Sequence, residues 1–489
     1  MKNENAKTTK KMILLLGIIS IAFFVYAVLF CNIRSLWMDD LAQMKIALQS
    51  NLSGMIAENI KLDNNPPLSH LFSYFWIRMV PYGTGWLKLM NIMYVSIGVF
   101  FCGLSAYRFY GEIAGTACMF LCMINKGIVY LAAYTFRPYG LFFMLSAIVL
   151  YVYFRRIEEG KGTGIKTTTN IFFAILLILS VYTHYFAILI CIGLFICDAG
   201  YVFRRRLKVL DLLPYPVTAV CFLPWLIVIL SNSLRRLKNF WPKKPTLIEL
   251  YKAIDELMGN DKLMWIFLAV LLLILIYQFY SKDYQKFKKS VFLLFIPAFS
   301  IAPVYLLSRY SSSFTSLFVS RYFIGVMPYM IILGAINIAY VIARVKQIIT
   351  GKNFFRLLVV LLAGSFVIVF ARSVKKTYEM QSMGNEPFYE VAEYLKSQED
   401  YYSNDVLIYN TCDDMDLGWD YYLTDNGKKE IRDVSWFNLK KEELSGINKV
   451  YVAELHVKLS DEDKRTLTNN GFILMKQEES VPVYIYKLK

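Results

Sequence analysis

Leu36–Trp37–Met38–Asp39–Asp40 stands directly after the first long apolar run of the chain. Neighbouring carboxylates repel, which raises the pKa of one of them, and a carboxylate at an apolar edge suits a general base that takes a proton from a hydroxyl. The pair also reads as a helix start, because Leu41, Met44, Ala47 and Leu48 follow at helical spacing and an Asp before such a stripe caps it. One Asp can cap while the other reacts. A second group is Asp63–Asn64–Asn65–Pro66–Pro67–Leu68, followed by His70, Tyr74 and Trp76. The proline pair fixes an extended turn and then permits a helix, which either aims Asp63 and the amides at one point or simply joins a loop to a helix. His70 reads as a packed polar residue on an aromatic face. Third, Arg137 in Tyr134–Thr135–Phe136–Arg137–Pro138–Tyr139 and Arg321 in Arg321–Tyr322 each put a guanidinium at the edge of an apolar run. Such a fork matches phosphate, and the competing reading is snorkelling toward lipid headgroups. His184 in Thr183–His184–Tyr185–Phe186 is another edge residue, and as a lone His it reads first as structural.

The elements that must hold these residues are apolar. Of 489 residues 57% are hydrophobic and 18% charged, and the mean hydropathy is +0.43. This profile excludes a soluble enzyme. Aromatic residues reach 16%, which suits membrane interfaces. A membrane span needs ~20 apolar residues, because only a helix satisfies its own backbone groups in hydrocarbon. Eleven runs qualify, at about 12–31, 88–107, 112–131, 138–154, 169–184, 186–203, 212–231, 263–280, 290–307, 323–343 and 357–371. The first follows Lys2, Lys7, Lys10 and Lys11 and has the full length of an uncleaved span. An N-terminus inside and an odd number of spans put the C-terminal part outside the cell membrane. Lys and Arg collect on the cytoplasmic side of spans. Every loop this scheme places inside is basic, including Arg108; Arg155, Arg156, Lys161 and Lys166; and Lys282, Lys286, Lys288 and Lys289. The outer loop 232–262, with Arg235, Arg236, Lys238, Lys243 and Lys244, runs against the rule and would suit an anionic substrate.

The formal charge of +16 is a sum of opposites. Residues 1–371 carry 37 Lys/Arg and 15 Asp/Glu, net +22, whereas residues 372–489 carry 16 and 22, net −6. The chain therefore divides into a transmembrane body, 1–371, whose first outer segment 32–87 holds the carboxylates, and an extracytoplasmic domain, 372–489. Within the latter, the patterns predict a helix from Pro387, strands at Asp405–Tyr409, Val450–Val452 and Val481–Tyr486, and a helix at Asp461–Asn469, a small α/β domain. Its Trp419, Tyr421, Tyr422 and Trp436 read as core packing with sugar stacking as the alternative, and Cys412–Asp413–Asp414 as a solvated turn. No nucleotide-binding loop, metalloprotease motif or disulfide framework is present. With no water-exposed basic domain, nucleic acid is excluded as a partner.

In these motifs the chain resembles the GT-C glycosyltransferases that use polyprenyl-phosphate sugars, specifically the superfamily of protein O-mannosyltransferases and bacterial aminoarabinose transferases. The resemblance runs in order from residue 12 to about 371 through Trp37–Met38–Asp39–Asp40, Asp63 to Leu68, Phe136–Arg137–Pro138–Tyr139, Thr183–His184–Tyr185 and Arg321–Tyr322. The family's usual Asp–Glu is Asp39–Asp40 here, and a His often found before the proline pair is Asn65. The resemblance implies a multi-pass cell-membrane enzyme that transfers a sugar, with inversion, from a polyprenyl-phosphate donor to a hydroxyl of a protein, lipid or glycan on the outer face. It implies Asp39 as base with Asp40 in support, Arg137, Arg321 and Tyr322 on the donor phosphate, and Asp63, Asn65, Tyr139 and His184 on substrate. No cofactor is required, although Asp63 and His184 are also compatible with a divalent ion. A polytopic transporter, or a flippase or ligase of lipid-linked glycans, is the alternative, and a transporter would place its ionisable residues near the bilayer midplane.

Overall fold

The computed structural model describes residues 2–489 except 33–34, 64, 82, 161–163, 237–241, 260–261, 312–315, 349–351, 383–386, 402, 412–434, 437–438 and 456–457. The chain forms two compact units, Met1–Cys31 with Ile46–Tyr378, and Asn32–Lys45 with Glu379–Lys489. The first is a helical bundle. It contains α1 (Lys2–Leu29), α3 (Leu52–Leu62), α4 (Leu68–Met79), α5 (Thr84–Tyr110), α6 (Glu112–Ile124), α7 (Lys126–Ile128), α8 (Tyr139–Gly160), α9 (Thr167–Val181) and α10 (Ala187–Phe203). It continues with α11 (Pro214–Arg236), α12 (Leu247–Leu257), α13 (Lys262–Tyr280), α14 (Tyr284–Tyr310), α15 (Met327–Ile348) and most of α16 (Lys352–Ser382), while α2 (Met38–Ala47) bridges the unit boundary. Helix α5 is central and packs against α1, α6, α8 and α15.

Each of the eleven apolar runs falls on a helix. Among the described residues six helices are long and apolar enough to cross a membrane, or seven with a bent pair, and three shorter apolar helices accompany them. The run 357–371 lies in α16, where the side chains of residues 351–363 are outside the described set. The protein is a multi-pass membrane protein. Two runs depart from simple spans. The run 112–131 breaks at Asn125, whose side chain accepts the Ile128 N–H at 2.9 Å, so that local capping replaces the helical ladder and the halves meet at 59°. The second departure is at the predicted basic loop after residue 154, since α8 continues to Gly160. There Arg156 is fully buried, donating to Asp198 at 2.9 Å, Asn170 at 2.9 Å and the Asp211 carbonyl at 2.8 Å. Arg156 is thus not a loop charge but a cation buried within the bundle. Lys88 is a second buried cation and donates to the Cys31 carbonyl at 3.0 Å.

The charge step at residue 372 lies inside α16, and the compact units divide just after Tyr378. The second unit has α17 (Phe388–Lys396), α18 (Asp461–Asn469) and five strands: β1 (Val406–Asn410), β2 (Ser435–Trp436), β3 (Lys449–Ala453), β4 (Phe472–Gln477) and β5 (Val483–Leu488). The sheet order is β2-β1-β3-β5-β4, parallel from β2 to β3 and antiparallel thereafter. Leu407, Tyr409, Val450, Val452, Leu467 and Phe472 form its core. Strand β4 is absent from the expectations because Ile473, Leu474 and Met475 are all exposed on an edge strand, with no alternation to read. Ser35 joins this unit by donating to Glu390 Oε2 at 2.8 Å and accepting the Tyr389 N–H at 3.1 Å. The side chains of Trp419, Tyr421, Tyr422, Trp436 and of Cys412–Asp413–Asp414 lie outside the described residues, as do those of Arg235, Arg236 and Lys238.

Candidate functional site

Five chain segments that end or begin helices converge in the first unit. Helix α3 ends at Asp63, whose N–H still reaches the Asn59 carbonyl at 3.0 Å. The turn after it is closed by Asn59 Nδ2 donating to the Asn65 carbonyl at 2.9 Å. Helix α4 then starts behind Pro67, and its Leu68 N–H is taken by the Tyr182 carbonyl at 3.0 Å, fixing this start against the turn between α9 and α10. The fourth segment, 134–138, precedes α8. Buried Asn91 on α5 holds it, donating from one amide to the carbonyls of Thr135 and Arg137. Gly140 permits this approach, since a Cβ there would lie 2.8 Å from the Asn91 side chain. The last segment is the 3-10 turn Ser320–Val326, which packs on α8 and α12.

The centre is an ion pair. Arg137, 6% exposed, places Nη1 at 2.9 Å and Nη2 at 3.0 Å from the two oxygens of Asp63. Asn65 Nδ2 donates to Asp63 Oδ1 at 2.8 Å, and His70 Nε2 lies 3.3 Å from Oδ2. Burial pulls the Asp63 carboxyl upward, but Arg137 and His70 outweigh it and hold it well below the usual carboxylate range. Burial lowers the His70 pKa further than Asp63 can raise it, so His70 is neutral at neutral pH. Arg137 is therefore not a snorkelling surface cation. Its fork is oriented by a carboxylate that stays ionised, and Asn65 serves Asp63 from within the turn.

Beside the pair is an aromatic cluster. His184 stacks on Phe142 with centroids 5.1 Å apart and lies 5.4 Å from the Tyr322 ring and 5.9 Å from Tyr139. The Tyr139 hydroxyl accepts from Arg321 Nε at 3.1 Å, and the Arg321 guanidinium is 5.9 Å from the Tyr322 ring centre. Burial, reinforced by the charge of Arg137, lowers the His184 pKa to about 3. Thus Asp63 directly contacts both Asn65 and Arg137, and Tyr139, His184, Arg321 and Tyr322 form the adjoining wall. With Asp63 bridged through both oxygens to a guanidinium, the arrangement does not fit a divalent ion, and among the described residues no group of three or more metal-ligating side chains occurs.

The pair Asp39–Asp40 occupies the first turn of α2 and belongs to the second compact unit. Asp40 is buried and accepts the Trp37 N–H at 3.1 Å, so it performs the capping. Asp39 is half-buried. His70 is fully buried, as a packed polar residue, but sequence reasoning missed its approach to Asp63, and it missed Asn91 altogether. His70 carried a signal, since Pro66–Pro67 turns the chain between Asp63 and the first turn of α4. Asn91 carried none, being one polar residue inside a long apolar run.

No family model matches the chain, and no curated protein matches it. Solved structures do. ArnT from Cupriavidus metallidurans bound to undecaprenyl phosphate is similar over 96% of this chain and 97% of that one, with 12% identity and a TM-score of 0.56. Its apo state is similar over 98% of both chains, with 10% identity and a TM-score of 0.57. The chain has a GT-C fold. The Archaeoglobus fulgidus oligosaccharyltransferase tethered to an acceptor peptide is a more distant likeness, at 11% identity and a TM-score of 0.48 over 83% of this chain and 63% of that one. The likeness to ArnT thus takes in nearly the whole of this GT-C chain, both compact units included.

Proposed function

We propose that this protein is a membrane glycosyltransferase that moves a sugar from a polyprenyl-phosphate donor to an acceptor hydroxyl on the outer face of the membrane. The observation that carries this reading is the Arg137 fork, buried and oriented by Asp63 where five helix ends meet. A GT-C fold shared with ArnT, a protein whose structure holds undecaprenyl phosphate, supports it. Arg137 and Arg321 would grip the donor phosphate, with Tyr139 and Tyr322 setting the Arg321 side chain. His184, neutral and walled by aromatic rings, would face the sugar as a hydrogen-bonding group that carries no charge. Asp39 would act as the base, by its place in the Trp37–Asp40 motif, with Asp40 fixing the helix turn that presents it.

The acceptor oxygen attacks the anomeric carbon as its proton passes to Asp39. The bond between that carbon and the phosphate oxygen breaks, and the electron pair leaves with the lipid phosphate. Inversion follows from a single displacement. Arginines preorganised at the leaving phosphate act where negative charge grows, which is worth a few kcal/mol. The lipid carrier delivers an activated sugar, so no nucleotide is needed. The sugar can be a hexose or a pentose, and the acceptor a protein, a lipid or a glycan.

The test uses full-length protein in nanodiscs and measures release of polyprenyl phosphate from polyprenyl-phosphate sugars. Asp39→Asn is expected to lower turnover by roughly 10²–10⁴-fold with donor affinity retained. Arg137→Lys keeps the charge but loses the two-pronged hold on Asp63 that orients it, and is expected to weaken donor binding roughly ten-fold or more. Unchanged turnover in Asp39→Asn would remove the base assignment, and unchanged donor binding in Arg137→Lys the phosphate assignment.

A further inference from the structure

At the end of α8 remote from Tyr139, a cavity of about 120 Å³ opens between α5, α8, α10 and α14. Water in the liquid takes about 30 Å³ per molecule, so this space holds several waters or one compact polar group. Its polar lining is Tyr110, Tyr153, Glu158, Tyr201, Lys288 and Lys289, set among phenylalanines. The Tyr110 hydroxyl is buried and, among the described residues, has no hydrogen-bond partner. A buried hydroxyl in that condition is costly, which points to a group that completes it. Lys289 Nζ stands 4.6 Å from the centre of the Tyr110 ring, and Lys288 is its neighbour on α14. Glu158 is the one acid of the lining, and Arg108 Nε lies 3.8 Å from its carboxylate. The lining thus combines two ammonium groups and hydroxyl donors with an acid already matched by a cation.

We propose that this cavity binds the phosphate of an anionic phospholipid headgroup. Ammonium and hydroxyl donors converging on one small space suit a phosphate, which offers acceptors only. The source follows from position. Tyr110 ends α5, Glu158 and Tyr201 lie in the last turns of α8 and α10, and Lys288 lies early in α14. Three of these four helices are long and apolar enough to cross the membrane, and α10 is one of the shorter apolar helices. Their ends stand at headgroup depth, where basic pockets between spanning helices take acidic lipids. The site lies along α8 from the Arg137 cluster and does not rest on the catalytic reading.

The experiment titrates fluorescently labelled phosphatidylglycerol into full-length protein in phosphatidylcholine nanodiscs. Replacing Lys288 and Lys289 together by Gln is expected to weaken binding roughly 30-fold. Tyr110→Phe, which removes only the hydroxyl, is expected to weaken it roughly five-fold. The pair Lys282→Gln and Lys286→Gln, on the same side but not in the cavity lining, is expected to change it by about two-fold or less, because charges away from the cavity are screened. Equal losses from the two lysine pairs would reduce the effect to surface charge and overturn the proposal. So would unchanged binding in Tyr110→Phe, or displacement of the lipid by low-millimolar inorganic phosphate, which would assign the cavity to the free ion.

Discussion

Arg137 lies inside the protein with both terminal nitrogens on one carboxylate, so the charge of Asp63 is what permits the guanidinium to remain there. Removing one partner of a buried pair leaves the other uncompensated, which costs about 3–5 kcal/mol. Asp63→Asn is therefore expected to destabilise the protein by roughly that amount, and Arg137→Gln added to it should cost little more, as unfolding titrations of the single and double variants would show. Additive losses would mean that the two residues are not one unit. His184 gives a second residue-scale prediction, through pH. Its pKa falls from an ordinary 6.5 to about 3 in the folded protein. The unfolded chain therefore binds the proton first as the pH drops. Stability is full above pH 6.5 and declines between 6.5 and about 3, by about 1.4 kcal/mol per pH unit for this one group. In His184→Gln that slope should shrink by one proton, measured by unfolding at several pH values; an unchanged slope would exclude the burial of a neutral imidazole. At this scale the sequence displayed residue types but not partners. Arg137, Asp63 and His184 stood out as polar groups at apolar edges. That Asp63 closes on Arg137 depends on a contact 74 residues apart, which no local pattern encodes.

Elements were more legible, because periodicity and turn chemistry are local. Each apolar run became a helix, and the expected helices and strands of the second unit formed within a residue or two. The failures share a cause, a polar side chain that satisfies backbone or charge from inside an apolar segment. Asn125 breaks one run by capping α7, and Arg156 extends α8 by finding Asp198, Asn170 and Asp211. Neither effect shows in mean hydropathy. The break at Asn125 is held by close backbone approach, since a Cβ on Gly127 would lie 2.3 Å from the Leu257 carbonyl oxygen and 2.7 Å from that of Glu256. These are main-chain atoms and cannot rotate away. Gly127→Ala should therefore displace the C-terminus of α12 from α7 and cost about 1–3 kcal/mol. Gly17→Ala in α1, where a Cβ meets nothing within 4 Å, should cost nothing. Thermal unfolding of the two variants in one detergent makes the comparison, and equal melting temperatures would show that α12 is not seated on this break.

For the whole molecule, charge is the property that changed meaning. The net +16 would attract a polyanion if it were spread over a soluble surface, but +22 lies in a membrane body and −6 follows residue 371. Burial refines the count again, since Arg156 is neutralised internally by Asp198 and cannot report on sidedness. Arg155 and the exposed lysines Lys282, Lys286, Lys288 and Lys289 remain as surface cations at helix ends. If they mark the cytoplasmic side, the N-terminus is inside and the C-terminal domain outside, which is also the arrangement an outer-face transferase requires. A cysteine introduced by Glu462→Cys on the exposed face of α18 is then expected to react with a membrane-impermeant thiol reagent in intact cells. One introduced by Lys282→Cys, at an exposed turn between α13 and α14, should react only after permeabilisation. Both signals are read above the parent, because none of the described cysteines forms a disulfide and Cys221 is exposed. Reaction of the two sites in the opposite order would invert the topology. The Arg137–Asp63 geometry would stand in that case, but a lipid-linked sugar presented on the outer face could no longer be the substrate proposed for it.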